Sequence, residues 1–303
     1  MATTHVNIEQ QKTIRENVLD VITTISPKDR PALAKFGRQD VTNTTVTWTT
    51  DVLDTPSAVN KNNHGFTVTF AAADYTVGAQ VSNYTQLLMK QVAVDESMLA
   101  VKVAGASEGE LNRQKNIKME SILNDLEATI VSNNTGVAPL PNTGTVGVSK
   151  GCQSLVSNII DSSQQDYGRV LSKSLFNSLS RLCYNSGGKP DIAMMGAEAK
   201  DAVAGWVQQI NRPVSDDGKK LTDVVNQVET TTGFQDLILE RNIPTAVLLL
   251  ESQYFKTGWL RELRWKDVGP TGDFVGGWYT LEATLICLAP QSSGKITGLN
   301  YVV

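Results

Sequence analysis

The stretch VTWTTDVLDTPS, residues 46 to 57, alternates apolar residues with threonine and then becomes acidic and proline-containing. Successive side chains of a β-strand point to opposite faces, so Val46 and Trp48 share one face and the threonines share the other. β-Branched and aromatic residues favour strands, whereas residues 51–56 have the composition of a turn. The stretch predicts a strand that leads out into a turn. Core strand, ligand platform and docking arm are all compatible with it.

A second alternation follows at residues 66–70, where Phe66, Val68 and Phe70 are separated by threonines. Between the two lies a polar segment rich in Asn, Asp, Pro and Gly, which is too long for a tight hairpin turn. We therefore predict an extended two-stranded loop, in which 66–70 is the partner of 46–50 and the tip lies around residues 60–65.

Helical periodicity appears at two places in the first half of the chain. Ile14 and Val18 begin an apolar stripe that ends at Pro27, and no matching apolar face lies nearby, so this helix is expected to pack on a distant segment or on another chain. A much longer stripe, including Ile122, Leu126 and Ile130, predicts a helix over residues 108–133.

The second half has a mixed α/β pattern. A Gly-, Pro- and Thr-rich segment at 136–151 predicts a domain boundary. Beyond it, helices are predicted around 171–185 and 203–210, the first ending at the sequence NSGGKP. The predicted strands are DIAMMG, VVNQVET, DLILERN, AVLLLES, WLRELRWK and YTLEATLICL, the last two separated by the turn GPTGDFVGG.

Composition excludes several classes of function. The 303 residues include 27 basic and 31 acidic side chains, so the net charge of −4 argues against a surface built to hold nucleic-acid phosphates. Three widely spaced cysteines predict buried free thiols in a reducing compartment. No secretory segment is visible, and the longest apolar run, 245–251, is too short to cross a bilayer, so we expect no membrane association.

Few residues of the sequence form a recognisable catalytic arrangement. Residues 105–109, GASEG, match the G-x-S-x-G pattern of serine hydrolases, but both histidines, His5 and His64, precede Ser107 and lie in an arm and a loop tip. No spacing of ligands suits zinc, and no glycine-rich phosphate loop is complete. We expect no enzyme activity, no metal and no cofactor; a hydrolase acting through Ser107 is the unfavoured alternative.

Several segments in this order resemble the major capsid proteins of tailed bacteriophages, which have the Hong Kong 97-like fold. They are SPKDRPALAKFG, VTWTTDVLDTPSAVN, NYTQLLMKQVAVDESMLAVKVAG, the helix containing NDLEATIVSN, and the closing segment from GFQDLILERN to LICLAP. The resemblance covers residues 20–133 and 230–290, and the middle of the chain follows by element order.

The resemblance implies an α+β fold with four parts. These are an N-terminal arm (1–40), an extended β-hairpin loop (41–93), a peripheral domain with a long spine helix (94–136 and 256–289), and an axial domain whose mixed sheet is flanked by helices (137–255 and 290–303). About forty residues precede the loop, so any scaffold is expected to be a separate protein.

The implied function is that of a head protein that self-assembles, as hexamers and pentamers, into the icosahedral shell around the double-stranded DNA genome. Assembly in the host cytoplasm and incorporation into the virion follow from the resemblance, with portal, scaffolding and decoration proteins as possible partners. DNA would be enclosed without sequence-specific binding. An encapsulin-like bacterial compartment, which has the same fold and packages an enzyme, is the main alternative.

Inter-subunit contacts are expected in the arm and in the extended loop. Some shells of this fold join subunits through a Lys–Asn isopeptide bond from the loop, but Lys61, between Asn60 and Asn62, has the surroundings of a solvated loop and we expect no bond. The candidate contact residues are Val46, Trp48, Lys61, His64, Phe66, Phe70, Ile14 and Val18.

Overall fold

The computed structural model describes residues 28–51, 58–59, 61, 64–67, 78–101, 109–140, 143–162, 170–208, 226–269 and 272–300. The helices are α1 (Pro31–Lys35), α2 (Glu96–Ala100), α3 (Glu110–Val131), α4 (Cys152–Leu155), α5 (Lys173–Asn185) and α6 (Ala197–Gln208). The strands are β1 (Gly37–Asp40), β2 (Thr45–Thr50), β3 (Ala79–Tyr84), β4 (Gln86–Asp95), β5 (Asn158–Asp161), β6 (Ile192–Met195), β7 (Gln227–Thr230), β8 (Gly233–Leu239), β9 (Val247–Leu250), β10 (Phe255–Asp267), β11 (Phe274–Cys287) and β12 (Gly294–Thr297).

A four-stranded sheet in the order β1-β10-β11-β4, here called the spine sheet, carries the long helix α3. The helix packs on β4 and β11, and it buries Ile122, Leu126 and Ile130, as the apolar stripe predicts. Lys90 of β4 forms an ion pair with Asp125 of the helix at 2.7 Å. Helix and sheet are thus joined by both apolar and charged contacts.

A mixed six-stranded sheet in the order β5-β12-β9-β6-β8-β7, here called the central sheet, is formed by the second half of the chain. Helix α5 packs on it; the Ser172 hydroxyl caps its first turn by accepting from Leu175 N at 3.2 Å, and the helix ends before Gly187, whose φ is +87°. The predicted helices and strands of this half are confirmed within the described residues, which leave out 209–225, although α6 begins earlier, at Ala197. Strands β5 and β12 were not predicted.

The central sheet is buried on both faces. Met194 and Leu248 face a core shared with α3 and the spine sheet, whereas Met195 and Leu249, one residue further along each strand, face a second core under α5 and α6. This explains why β6 and β9 are continuous apolar runs, since alternation would leave one face polar. The first core joins the spine sheet and the central sheet in one hydrophobic unit.

The two-stranded pairing differs from the sequence prediction. Strand β2 pairs with β3, with Thr45 opposite Tyr84 and Thr50 opposite Ala79, so the expected partner 66–70 is wrong for this part of the loop. Local pattern does not distinguish residues 66–70 from β3 as the partner of β2, and the long-range register decides between them. Phe66 is exposed, and residues 68–70 lie outside the described residues.

Three further differences concern element boundaries. Strand β4, predicted to lie mostly within the loop, pairs with β11 from Gln86 to Asp95 and so belongs to the spine sheet. Residues 96–100, to which the sequence analysis assigns no element, form the short helix α2. The predicted turn at 269–277 is shorter, because β11 begins at Phe274; a Cβ on Gly276 would lie 2.3 Å from Val92 O. The division into four parts stays a prediction.

Candidate functional site

The nucleophilic and metal-binding groups of the described residues offer no reactive centre. All three cysteines are free and buried, and burial raises the pKa of the Cys183 thiol to about 11 and of the Cys287 thiol to about 12. No cluster of three His, Cys, Asp or Glu side chains suitable for a metal occurs in the described part of the chain. His64 is exposed, and Ser107 and His5 lie outside the described residues.

None of the described helices is long and apolar enough to span a membrane. The remaining candidates for function are surfaces: the ribbon formed by β2 and β3, its attachment to the subunit, and the face of the spine sheet opposite α3.

The ribbon has one face against the subunit and one face in solvent. Val46, Trp48 and Thr50 are half-buried, whereas the three threonines between and before them are exposed. Trp48 packs against the first core of its own chain. Its indole Nε1 is buried and has no hydrogen-bond partner among the described residues. The tryptophan therefore anchors the ribbon while carrying an unsatisfied donor, which is uncommon in a folded protein.

Asn83 fastens the base of the ribbon. Its fully buried amide donates to Leu285 O at 2.7 Å and to Lys150 O at 3.1 Å, and its oxygen accepts from Lys150 N at 2.8 Å. Lys150 Nζ in turn donates to Ser82 O at 2.9 Å. Strand β3, strand β11 and the end of the 136–151 segment are thereby tied together, because each bond satisfies a polar group that burial would otherwise leave unpaired.

A carboxylate on β11 adds a second tie at the same place. Glu282 is buried, and it accepts from Thr85 Oγ1 at 2.7 Å and from Arg261 Nε at 2.8 Å. The base of the ribbon is thus held by two polar clusters. The described residues beyond it, including Val59, Lys61, His64 and Phe66, are all exposed.

The face of the spine sheet opposite α3 is partly uncovered. Leu87 and Met89 of β4 are exposed at 47% and 50%, on the opposite side of the strand from Leu88, which packs on the core. Met89 lies opposite Thr280, which pairs with Arg264 on its other side. This open face, defined by Leu87, Met89, Thr280 and Arg264, combines exposed apolar and basic side chains.

The sequence predicts Val46 and Trp48 on one strand face, and both are half-buried on that face, with Trp48 packed against the core of its own chain. Their role as contacts between subunits stays a prediction. Phe70, Ile14 and Val18 lie outside the described residues. Sequence reasoning missed Leu87 and Met89, although the alternation QLLMKQVAVD, with a buried face at Leu88, Val92 and Val94, carries the signal of a half-covered strand.

A long helix crossing a four-stranded sheet, a second sheet flanked by helices and a two-stranded ribbon together form the Hong Kong 97-like fold of capsid subunits. The chain is similar to the cyanophage A-1(L) capsid subunit, with a TM-score of 0.69 at 12% identity over 97% of this chain and 98% of that one. It is similar to the capsid of the native GTA particle, with a TM-score of 0.66 at 10% identity over 99% and 100% of the two chains. The SrpI encapsulin of Synechococcus elongatus PCC 7942 shares the fold, with a TM-score of 0.60 at 9% identity over 98% and 96%.

The family follows from the sequence itself: the model of the SU10 major capsid protein family matches residues 2–300, and the chain belongs to that family. No curated protein sequence matches the chain. The chain is a major capsid protein of a tailed phage and a structural component of the virion. The predicted recognition, fold class and function are confirmed.

Proposed function

We propose that copies of this chain close into an icosahedral shell of hexamers and pentamers around double-stranded DNA, with the ribbon and the open face as principal contacts between neighbours. The observation that carries the proposal is the exposure of Leu87 and Met89 on a strand whose other face is half-buried to buried. Apolar side chains clustered on an otherwise satisfied strand mark a surface that a partner covers.

The partner of the open face is a second copy of the chain, since a lattice of one subunit has to supply both sides of its own contacts. The exposed apolar side chains of the loop, Val59 and Phe66, match the open face in character. The arm residues Ile14 and Val18, together with Lys61, His64 and Phe70, remain proposed contacts, as do Val46 and Trp48 once a neighbour adds to their packing.

The net charge of the chain suits a shell that encloses DNA better than a protein that binds DNA. With a net charge of −4, its subunits repel DNA phosphates overall, so the genome is confined rather than adsorbed. The subunit has no enzyme activity in this proposal, and Ser107→Ala leaves assembly unchanged. Scaffolding, portal and decoration proteins act as separate partners, and assembly takes place in the host cytoplasm.

Expression of the full chain, alone and together with the phage's own assembly proteins, tests the proposal by electron microscopy. Closed shells with five-fold and six-fold clusters of this subunit are expected. A chain that stays monomeric under every assembly condition would contradict it. Analysis of the contents separates the phage head from the encapsulin-like alternative: native particles should contain double-stranded DNA rather than a packaged enzyme.

A further inference from the structure

Two glutamates meet in the interior at the point where α1, α3 (the spine helix) and the end of β8 come together. Glu127 lies in α3 and is 1% exposed, and Glu240 directly follows β8 and is 2% exposed. Glu127 bonds to the first turn of α1, and Glu240 lines a cavity together with Pro31 and Ala34 of the same helix, so the two carboxyl groups are neighbours. Two carboxylates cannot both be charged at this distance without strong repulsion, so the pair needs a physical explanation.

Glu127 caps helix α1 from a distance. Its Oε1 accepts from Ala32 N at 2.6 Å, and its Oε2 accepts from Leu33 N at 2.9 Å. Both amides belong to the first turn of α1, whose own N-cap residue, Arg30, makes no side-chain cap bond. The Glu127 carboxyl group therefore helps to attach α1 to α3, beside the bonds from Arg30 to Glu120 and Asn124.

Glu240 has one satisfied and one unsatisfied oxygen. Its Oε1 accepts from Asn242 N at 3.0 Å and from Asn242 Nδ2 at 2.7 Å. Its Oε2 is buried and has no hydrogen-bond partner among the described residues. An orphaned carboxyl oxygen beside a second buried carboxyl group is the geometry in which a shared proton completes the bonding.

The charged groups around the pair supply no counter-ion. Arg30 is engaged by Glu120 and donates to Asn124 Oδ1 at 2.9 Å, while Asp29 and Arg241 line the cavity of about 390 Å³ that borders Glu240. From α4, the Cys152 thiol faces both glutamates, and burial keeps it neutral by raising its pKa. No ion pair in the described part of the chain includes Glu127 or Glu240.

We propose that the Glu127 carboxyl group binds a proton and donates it in a hydrogen bond to the unpaired Oε2 of Glu240, and that this bond fastens α1 and α3 to the end of β8. Loss of the proton leaves two like charges in the interior. The contact between spine helix and central sheet then loosens, which gives the subunit a pH-dependent joint. This inference rests on the subunit alone and not on the proposed lattice contacts.

The sign of the pH dependence follows from burial. Desolvation raises the pKa of Glu127 from 4.5 to about 7, with the amides of Ala32 and Leu33 opposing the shift and the Glu240 carboxyl group adding to it. A carboxyl whose pKa is raised on folding binds its proton more tightly in the closed state. Its stabilisation is complete below about pH 4.5 and is lost as pH rises through about 7.

Hydrogen–deuterium exchange of peptides covering residues 30–36 of the full chain, corrected for the intrinsic rate, tests the proposal. Opening of α1 releases the proton, so opening becomes easier as pH rises. The protection of the α1 amides against exchange should therefore fall by up to about tenfold per pH unit between about pH 5 and about pH 7, and then level off. Glu240→Gln should flatten this profile, because the amide nitrogen of Gln donates permanently to the Glu127 carboxylate.

Glu120→Gln is the matched control, because it removes a carboxyl from the same helix near Arg30 but outside the buried pair. It should keep the wild-type slope. Infrared spectra of the wild type at about pH 6 should also show a protonated-carboxyl stretch that Glu240→Gln lacks. Equal slopes in wild type and Glu240→Gln, or absence of that band in the wild type, would overturn the proposal.

Discussion

The central sheet and the ribbon lie in the same chain but are stabilised in different ways. Strands β6 and β9 are buried on both faces between two cores, so their stability is complete within one subunit. The ribbon is fastened at its base by Asn83 and Glu282, whereas the described residues between 51 and 67 are exposed. The comparison separates residues that fold the subunit from residues that remain available to a neighbour.

The largest expected effect is in the central sheet. Leu249 is fully buried in the second core, and Leu249→Ala leaves a cavity under α5 and α6. We expect a loss of about 2–5 kcal/mol in the free energy of unfolding, measured by denaturant titration of the unassembled chain. Val59→Ala, at a residue 70% exposed, is the control and should leave that free energy unchanged. Similar losses in both variants would erase the distinction between the two regions.

The open face should give a large effect on assembly and a small effect on folding. Met89→Asp places a charge on a half-exposed position, so the free energy of unfolding should change by less than about 1 kcal/mol. Shell yield, measured by sedimentation and electron microscopy, should fall at least about tenfold if a neighbour covers Met89. Ser174→Asp, in the first turn of α5, adds the same charge elsewhere and should assemble normally. Normal shells from Met89→Asp would remove the open face from the proposed interface.

The effect of replacing Trp48 is expected to lie between those of the central-sheet and open-face variants. Trp48 packs on its own core while its indole N–H has no partner in the described part of the subunit. Trp48→Ala should cost roughly 1–3 kcal/mol of stability and should lower particle yield more than monomer solubility. Equal losses of yield and solubility would mean that Trp48 serves only its own subunit. Trp48→Phe keeps most of the packing and removes the buried unpaired donor, so it should be tolerated better than Trp48→Ala.

The smallest expected effect concerns a covalent link from the loop. Lys61 is exposed, and we expect no bond between it and an asparagine of a neighbour. Boiling assembled shells in detergent should release monomers from both the wild type and Lys61→Arg. Ladders of covalent multimers that disappear in Lys61→Arg would refute this prediction.

Much of the fold follows from local patterns. The apolar stripe of α3 predicts its buried face, and the glycines of NSGGKP place the end of α5. The long strands β10 and β11 follow from their apolar and β-branched composition. These features depend on residues close in sequence, so helical period, strand propensity and turn chemistry suffice to predict them.

The candidate surfaces were predicted less well. The pairing of 46–50 with 66–70 was expected because both segments alternate in the same way. It was wrong because the partner of β2 is β3, which is held in place by long-range contacts such as the bond from Asn83 to Leu285. The exposure of Leu87 and Met89 was missed because it depends on which side of β4 the spine helix covers.

The sequence by itself determined the class of protein, the family, most of the helices and strands, and the near absence of catalytic groups. Only the tertiary structure decided which strand partners the ribbon, which apolar side chains stay exposed, and that Glu127, within an amphipathic helix, meets Glu240 more than a hundred residues later. The physical reason is that propensity and periodicity act over a few residues. Burial, register and the pKa of a carboxyl group depend instead on atoms that distant parts of the chain bring together.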